Sequence, residues 1–190
     1  MSTQKMTVPR FKAAKRKKRA LVTITAYDAT FARLIDETDI DAVLVGDSLG
    51  NVIQGHKSTI PVTVEDIIYH TRAVSRTLTK PLLIADMPFF SYHLSVEPAM
   101  ANAGRLIQQG GAEAIKLEGG IRVAEAVRRI VEAGVPVMGH LGLTPQSIHE
   151  FGGYKQQGRE EQAKKALVDD ARALEEAGAF SIVLEGIPAG

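Results

Sequence analysis

The sequence contains no cysteine among its 190 residues. It therefore has no disulfide framework, no thiolate metal site and no cysteine nucleophile. It also lacks an apolar run of the ~18 residues that a membrane span requires, and its N-terminus has no apolar core of the kind that marks a signal peptide. We therefore expect a soluble, cytoplasmic protein with no membrane partner.

Several catalytic and nucleotide-binding motifs are missing as well. The sequence has no P-loop, no GxGxxG and no GxSxG. Phosphate-cradling nucleotide sites and serine hydrolase chemistry therefore have no support. What the chain does have is a globular composition, with 45% hydrophobic and 24% charged residues. Its length suits one sizeable core rather than two domains.

Acidic residues are absent from the first 20 positions, which carry eight Lys and Arg residues. Since the whole chain has a net charge of +1, the other 170 residues sum to −7, and an acidic body argues against broad nucleic-acid binding. We interpret residues 1–19 as a basic N-terminal segment, most simply a solvated helix. A nucleic-acid arm and a targeting segment are the alternatives.

Six short apolar segments alternate with helical patterns along the chain. They are nearly continuous in Val, Ile, Leu and Ala, which is typical of parallel strands buried on both faces. The predicted strands lie within residues 21–27, 42–47, 81–86, 114–120, 136–142 and 181–188. Helices are predicted at 31–38, 63–78, 95–111, 122–134 and 160–178, with Thr63 and Asp66 as a capping box and Ser95 as an N-cap. This order predicts a parallel α/β sheet with right-handed crossovers.

Ionisable side chains mark the C-terminal ends of five predicted strands. They are Asp47 (followed by Ser48), Asp86, Lys116 with Glu118, His140, and Glu185. In a (β/α) barrel these ends converge on one mouth, whereas an open doubly wound sheet places its site only near the switch point. The pattern therefore favours a barrel over residues 20–190.

Each of these residues also has a purely structural interpretation. Asp47 can stabilise a turn, Asp86 can cap a helix, and His140 can be a satisfied core histidine. Lys116 and Glu118 share one face of a strand, where they can form a structural pair or face solvent. Charge at a buried strand end is costly unless it is paired or bound to metal, so the five ends together indicate a site.

The chemistry of this set points to a metal-assisted reaction. Asp47, Asp86 and Glu118 are oxygen ligands of the kind that Mg²⁺ prefers. Lys116 adds positive charge for an anionic substrate, and a metal with a lysine can stabilise an enolate. Glu185 remains as a general base. The residues predict proton abstraction next to a carbonyl but leave the substrate open.

From about residue 20 onward, seven stretches resemble the ketopantoate hydroxymethyltransferase family. They read TAYDATFA (25–32), LVGDSLGNVIQGHKST (44–59), ADMPFFSY (85–92), IKLEGG (115–120), VPVMGHLGLTPQS (135–147), FGGYKQQGR (151–159) and IVLEGIP (182–188). The resemblance implies a TIM (β/α)8 barrel that forms homo-oligomers, usually decamers. It also implies hydroxymethyl transfer from 5,10-methylenetetrahydrofolate to 3-methyl-2-oxobutanoate (α-ketoisovalerate) through a Mg-stabilised enolate. The product would be 2-dehydropantoate (ketopantoate), in pantothenate and coenzyme A biosynthesis.

The resemblance also implies roles for individual residues. Magnesium would be held by Asp47, Asp86 and Glu118. The keto acid would be contacted by Asp47, Ser48, Asp86 and Lys116, with His140 beside the site in a supporting role. The proton acceptor that takes the C3 proton would be Glu185.

The family continues for two more strands and their helices, whereas this sequence stops at Gly190. We therefore expect a barrel truncated after the sixth strand, with its first and sixth strands as open edges. Two alternatives to the transferase stay open. One is an inactive or partner-dependent barrel fragment. The other is a related Mg-dependent lyase or mutase of the phosphoenolpyruvate mutase and isocitrate lyase group, although its lyases typically use a catalytic cysteine.

Overall fold

A computed structural model describes residues 4–153 and 155–188, in which six β-strands form one parallel sheet. The strands are β1 (Thr23–Thr25), β2 (Ala42–Val45), β3 (Leu82–Asp86), β4 (Ala114–Glu118), β5 (Val137–Gly142) and β6 (Ser181–Glu185). They lie side by side in the order of the chain, and every pair is parallel. The six predicted strands are confirmed. Their order is that of a barrel, because a doubly wound sheet reverses direction at a switch point.

Eight α-helices accompany the strands within the described residues. They are α1 (Val8–Arg16), α2 (Ala29–Asp36), α3 (Leu49–Val52), α4 (Val64–Ser75), α5 (Val96–Gln108), α6 (Ala124–Glu132), α7 (Ile148–Phe151) and α8 (Glu161–Glu176), with 3-10 turns at Ile121–Val123 and Pro145–Ser147. The five predicted helices correspond to α2, α4, α5, α6 and α8. None of the helices in the described part of the chain is both long enough and apolar enough to cross a bilayer.

The first residues of α4 and α5 test the two helix caps that were predicted from the sequence. At α4 the Thr63 side chain accepts a hydrogen bond from the backbone N–H of Asp66, and the Asp66 side chain accepts one from the Thr63 backbone. The predicted capping box is therefore confirmed. Ser95 occupies the predicted N-cap position of α5, but its side chain makes no capping hydrogen bond.

Side chains alternate between two apolar layers across the sheet. One side of the strands packs against the outer helices and forms the larger core. The other side forms a smaller inner cluster of Ala42, Leu82, Ile84, Ala114 and Met138. In a barrel, inward-facing side chains fill the interior below the mouth. The inner cluster occupies that position here.

The basic N-terminal segment lies at the N-terminal end of this inner layer. Its helical interpretation is confirmed by α1. Three of its apolar side chains (Met6, Val8 and Phe11) pack against the inner cluster, and the Phe11 ring meets Phe180 edge to face at 5.5 Å. The segment therefore covers one end of the sheet, and its separation from residues 20–190 as a distinct region stays a prediction.

The outer strands of the sheet are open to solvent. Ile24 on β1 is 42% exposed and Leu184 on β6 is 54% exposed. Within the described ranges β1 and β6 each have one strand neighbour, β2 and β5 respectively. The sheet is thus curled but unclosed, and the C-terminal end of β6 with Glu185 is accessible.

Candidate active site

The predicted ionisable residues meet at the C-terminal end of the sheet. Asp86 ends β3, Glu118 ends β4 and Glu185 ends β6. In the strand register Asp86 lies opposite Lys116, and Glu118 lies opposite His140. Side chains at paired positions of parallel strands point to the same face of a sheet, so these four share the inner face.

Lys116 lies at the centre of this group. Its Nζ is 2.7 Å from Asp86 Oδ1 and 4.0 Å from Glu118 Oε1. All three side chains are at most 5% exposed. A buried ammonium therefore has carboxylates on two sides, and the interpretation of Lys116 and Glu118 as solvent-facing residues is wrong.

His140 lies between the buried carboxylates and the accessible one. Its Nδ1 is 3.2 Å from Glu118 Oε1, and its Nε2 is 3.3 Å from Glu185 Oε2. The Glu185 side chain is 47% exposed, whereas that of Glu118 is 4% exposed. An imidazole thus connects an interior carboxylate to one that a ligand can reach.

The loop after β2 brings Asp47 and Ser48 to the same end. The backbone N–H of Asp47 donates to Asp86 Oδ2 at 3.0 Å, and the Ser48 hydroxyl lies 2.6 Å from the Tyr27 hydroxyl. A Cβ at Gly46 would lie 3.0 Å from Ser48 Oγ and 3.4 Å from Asp86 Oδ2. Glycine at position 46 therefore lets the loop after β2 lie close to Asp86. Together with the contacts described above, this places all seven predicted site residues in one region.

Two further residues of the site were not predicted from the sequence. Gln146 follows β5, and its amide Nε2 donates to Asp47 Oδ2 at 2.9 Å and to the Met87 carbonyl at 3.0 Å. The Tyr92 hydroxyl donates to Gln146 Oε1 at 2.7 Å and accepts from the backbone N–H of Glu118 at 3.0 Å. Both lie in stretches that resemble the family, but as neutral side chains they did not stand out as site residues in the sequence.

The turn between β5 and Gln146 depends on a glycine. Gly142 has φ +88°, a left-handed conformation that side chains disfavour, and a Cβ there would collide with the Glu185 carbonyl oxygen. The backbone N–H of Leu143 donates to that same carbonyl at 2.7 Å. The end of β6 is thereby held against the end of β5, which fixes the backbone of Glu185.

Burial shifts the pKa values of this cluster. Burial raises the pKa of Asp86 to about 7; the charge of Asp47 adds to the rise and Lys116 opposes it. Burial likewise raises the pKa of Asp47, with Glu118 adding to the effect. Burial alone would lower the pKa of Lys116, but Asp86, Glu118 and Asp47 together raise it. Three buried carboxyl groups therefore share one ammonium, that of Lys116.

This donor set suits a hard divalent cation. Asp47, Asp86 and Glu118 are buried carboxylates, and Glu118 Oε1 accepts no hydrogen bond from the described residues. Buried polar atoms of this kind are normally satisfied. Within the same residues no three His, Asp or Glu side chains already surround a common point as metal ligands, and the Lys116 ammonium is paired with Asp86. The chemistry of the residues therefore fits Mg²⁺, although the carboxylates are not gathered around one position.

Comparison with known protein families and sequences gives one consistent result. A family model described as ketopantoate hydroxymethyltransferase matches residues 5–190, so the match includes most of the basic N-terminal segment as well as the seven stretches that resemble the family. The 3-methyl-2-oxobutanoate hydroxymethyltransferase of Clostridium beijerinckii is 57% identical over 97% of this chain and 67% of its own length. That of Pelobacter propionicus is 54% identical over 97% of this chain and 68% of its own length. The chain spans about two thirds of the length of these curated relatives.

Solved structures resemble this fold at much lower sequence identity. A phosphonopyruvate hydrolase in complex with oxalate and Mg²⁺ matches with a TM-score of 0.70 and 16% identity, covering 95% of this chain and 64% of the other. A 2,3-dimethylmalate lyase of the PEP mutase/isocitrate lyase superfamily matches with a TM-score of 0.67 and 16% identity, covering 94% and 63%. At this identity the likeness concerns the fold, and it confirms the barrel-like α/β architecture.

Proposed function

The chain belongs to the ketopantoate hydroxymethyltransferase family, and we propose that the protein carrying it transfers a hydroxymethyl group to 3-methyl-2-oxobutanoate. The one-carbon donor is 5,10-methylenetetrahydrofolate. Keto acid, donor and water give 2-dehydropantoate and tetrahydrofolate, which balances the atoms. The observation that carries the proposal is the unbroken series of side chains from Asp86 through Lys116, Glu118 and His140 to Glu185.

The keto acid is an anion, and the site offers it one buried cation. Lys116 attracts the negative charge, and Asp86 at 2.7 Å holds the ammonium in place. Ser48 is half-buried at the mouth and offers a hydroxyl that Tyr27 orients. His140 supports the site from the Glu185 side. An anion held over this ammonium lies next to the accessible carboxylate of β6.

Glu185 is the proton acceptor in this proposal. Its carboxylate takes the proton from C3 of the keto acid, and the C–H electrons pass to the enolate. The enolate then forms the new C–C bond to the one-carbon unit. Support comes from the exposed fraction of Glu185, 47%, which lets it reach a substrate that the buried carboxylates cannot. A positioned base of this kind typically contributes 10²–10⁴-fold to rate.

Magnesium would be held by Asp47, Asp86 and Glu118. When bound, it would supply Lewis-acid polarisation of the keto acid, which makes the C3 proton more acidic. The protein's own contribution is the burial of these three carboxyl groups close to the single ammonium of Lys116. The Mg²⁺ in the phosphonopyruvate hydrolase structure supports the same ion for this fold.

Family membership also supports expectations about the oligomeric state, the cellular compartment and the pathway. We propose a cytoplasmic homo-oligomer, a decamer as the family resemblance implies, acting in pantothenate biosynthesis. Its partners are small molecules, the keto acid and the folate, rather than nucleic acid. Sedimentation or light scattering of the purified protein measures the subunit number directly.

Exchange of the C3 proton tests the proposed chemistry apart from the folate step. The protein is incubated in D₂O with 3-methyl-2-oxobutanoate and Mg²⁺, and deuterium entry at C3 is followed by NMR. Glu185→Gln keeps the shape of the side chain but removes the base, so we expect the exchange rate to fall at least 100-fold. Chelation of Mg²⁺ is expected to abolish exchange in the wild type.

Glu161→Gln is the matched control, because Glu161 lies at the start of α8 and its side chain is 93% exposed. It should exchange at the wild-type rate. Exchange that persists in Glu185→Gln, or that needs no Mg²⁺, would contradict the proposal. Adding 5,10-methylenetetrahydrofolate should then yield 2-dehydropantoate, whereas C–C cleavage without folate would favour the lyase alternative.

A further inference from the structure

We propose that Gln146 is a positioning residue that orients Asp47 and Glu118 toward Mg²⁺. The inference rests on the proposed function, since it concerns the same metal. Gln146 is 4% exposed and lies in the 3-10 turn Pro145–Ser147 that follows β5. It is uncharged and touches no reacting atom, so its effect acts through the carboxylates that it holds.

Every polar group of the Gln146 side chain is engaged. Its two amide hydrogens go to Asp47 Oδ2 and to the Met87 carbonyl, at 2.9 and 3.0 Å. Its carbonyl oxygen accepts from the Tyr92 hydroxyl at 2.7 Å. A primary amide offers two donors and one acceptor group, and this arrangement uses all of them in one orientation.

The backbone of Gln146 holds the second carboxylate. Its N–H donates to Glu118 Oε2 at 3.1 Å. Glu118 is thus fixed by one oxygen, while its Oε1, which lies 3.2 Å from His140 Nδ1, accepts no hydrogen bond within the described residues. A carboxylate anchored at one oxygen presents the other in a defined direction, which is the state that a metal ligand needs.

One residue thereby ties together loops from three strands. Asp47 follows β2, Met87 follows β3 and Glu118 ends β4. Asp47 and Gln146 are 99 residues apart in the chain. The link spans the region that contains the proposed ligands, so it holds the Asp47 and Glu118 side chains in defined orientations.

An amide suits this position better than either a carboxylate or an apolar side chain. A carboxylate would lack donors for Asp47 and Met87 and would add a like charge beside Asp47. An apolar side chain would leave the buried Asp47 Oδ2 and the Met87 carbonyl without their donor, which costs free energy for each group. Gln146→Met therefore removes the side-chain hydrogen bonds, including the one to Asp47, with little change of volume, and it keeps the backbone N–H that donates to Glu118.

Titration calorimetry of Mg²⁺ binding tests the inference without relying on turnover. Removal of a residue that orients metal ligands typically weakens metal affinity 10–100-fold, and we expect the dissociation constant of Gln146→Met to rise by that factor. C3-proton exchange should recover toward the wild-type rate at saturating Mg²⁺, because Gln146 acts through metal binding. A thermal melt without metal checks that the variant is folded.

Gln157→Met is the matched control. Gln157 lies in the same connection after β5 and is half-buried, but among the described residues its side chain donates only to the Lys155 carbonyl. Its Mg²⁺ affinity should equal that of the wild type. Tyr92→Phe gives a second variant, because it removes the hydroxyl that holds the Gln146 amide and that accepts from the Glu118 backbone N–H, while it keeps both carboxylate side chains. A smaller loss of affinity in the same direction is expected.

The outcomes separate this inference from the proposed function. If the wild type binds Mg²⁺ and both Gln146→Met and Tyr92→Phe bind it within twofold of the wild type, the positioning role is overturned alone. If the wild type binds no Mg²⁺, the metal chemistry of the proposed function is overturned with it. If Gln146→Met does not fold, the affinity of Gln146→Asn decides, because that variant keeps a polar amide but shortens its reach to Asp47 Oδ2.

Discussion

Lys116 shows how much one residue contributes to this site. Among the described residues it is the one buried lysine or arginine beside three buried carboxylates, and its Nζ is 2.7 Å from Asp86. Lys116→Met would leave the carboxylates to repel one another, and breaking a buried pair typically costs 3–5 kcal/mol. We expect the free energy of unfolding, measured by urea denaturation, to fall by about that amount. Added Mg²⁺ should restore part of it, because a cation replaces the lost charge.

Arg128→Met provides the comparison for Lys116→Met. Arg128 and Glu125 also form a short ion pair, at 2.6 Å, but their side chains are 49% and 59% exposed. Exposed pairs contribute about 0–1 kcal/mol, so this variant should unfold almost like the wild type. Equal and small losses in both variants would mean that the buried charges are already relieved by protonation.

The charged residues of the site were predictable from the sequence because their burial is costly. Asp86, Lys116 and Glu118 stand out in apolar segments, and only pairing or a ligand explains them there. Gln146 and Tyr92 carry no such penalty when their hydrogen bonds are made, so nothing in the one-dimensional pattern distinguishes them. Their partners lie up to 99 residues away, and only the folded chain brings them together.

At the level of elements, the periodic segments were predictable and the short ones were not. The five long helices and six strands follow from apolar spacing and caps. The four-residue helices α3 and α7 lie in connections without an apolar period, and tertiary contacts decide their conformation. Phe11 and its neighbours were assigned to a solvated helix because of the surrounding Lys and Arg residues, whereas Phe11 packs against Phe180, which is distant in sequence.

Asp36 couples two elements and predicts a pH dependence of stability. It ends α2, and its carboxylate accepts from the backbone N–H groups of Thr79 and Lys80 at 2.6 and 2.8 Å. Partial burial would raise its pKa, but these bonds and the Thr79 hydroxyl outweigh burial and lower the pKa. The ionised carboxylate therefore stabilises the fold. This contribution is complete above the unfolded pKa of ~3.9 and is lost as the pH falls through the lower, folded value.

Asp36→Ala measures that contribution. At pH 7 we expect the free energy of unfolding to drop by about 2 kcal/mol, since hydrogen bonds to a charged group contribute about 1.5–3 kcal/mol. The difference from the wild type should shrink as the pH is lowered through the folded pKa. Asp39→Ala, an exposed neighbour, should show no such trend. A pH-independent difference would indicate that the lost contacts do not depend on the charge.

In the whole molecule, the two ends of the sheet carry different kinds of side chain. The C-terminal end holds Lys116 and the carboxylates, while the N-terminal end is covered by apolar side chains of the basic segment. Barrel enzymes keep chemistry at the first end and stability at the second. The charged C-terminal end was predictable from the sequence, because ionisable residues mark the strand ends. The packing of the basic segment against the N-terminal end was not predictable.

Phe11→Ala tests this separation of the two ends. Phe11 is half-buried against Phe180 and the inner cluster. Because full truncation of a buried Phe costs 3–5 kcal/mol, we expect about 2 kcal/mol for this partly exposed ring in urea denaturation. Under native conditions, the Mg²⁺ affinity and the C3-proton exchange rate of Phe11→Ala should stay within twofold of the wild-type values. Lys12→Gln is the control, because Lys12 lies on the exposed side of α1, and its affinity and exchange rate should also stay within twofold. A loss of Mg²⁺ affinity in Phe11→Ala as large as the loss of stability would show that the two ends are coupled.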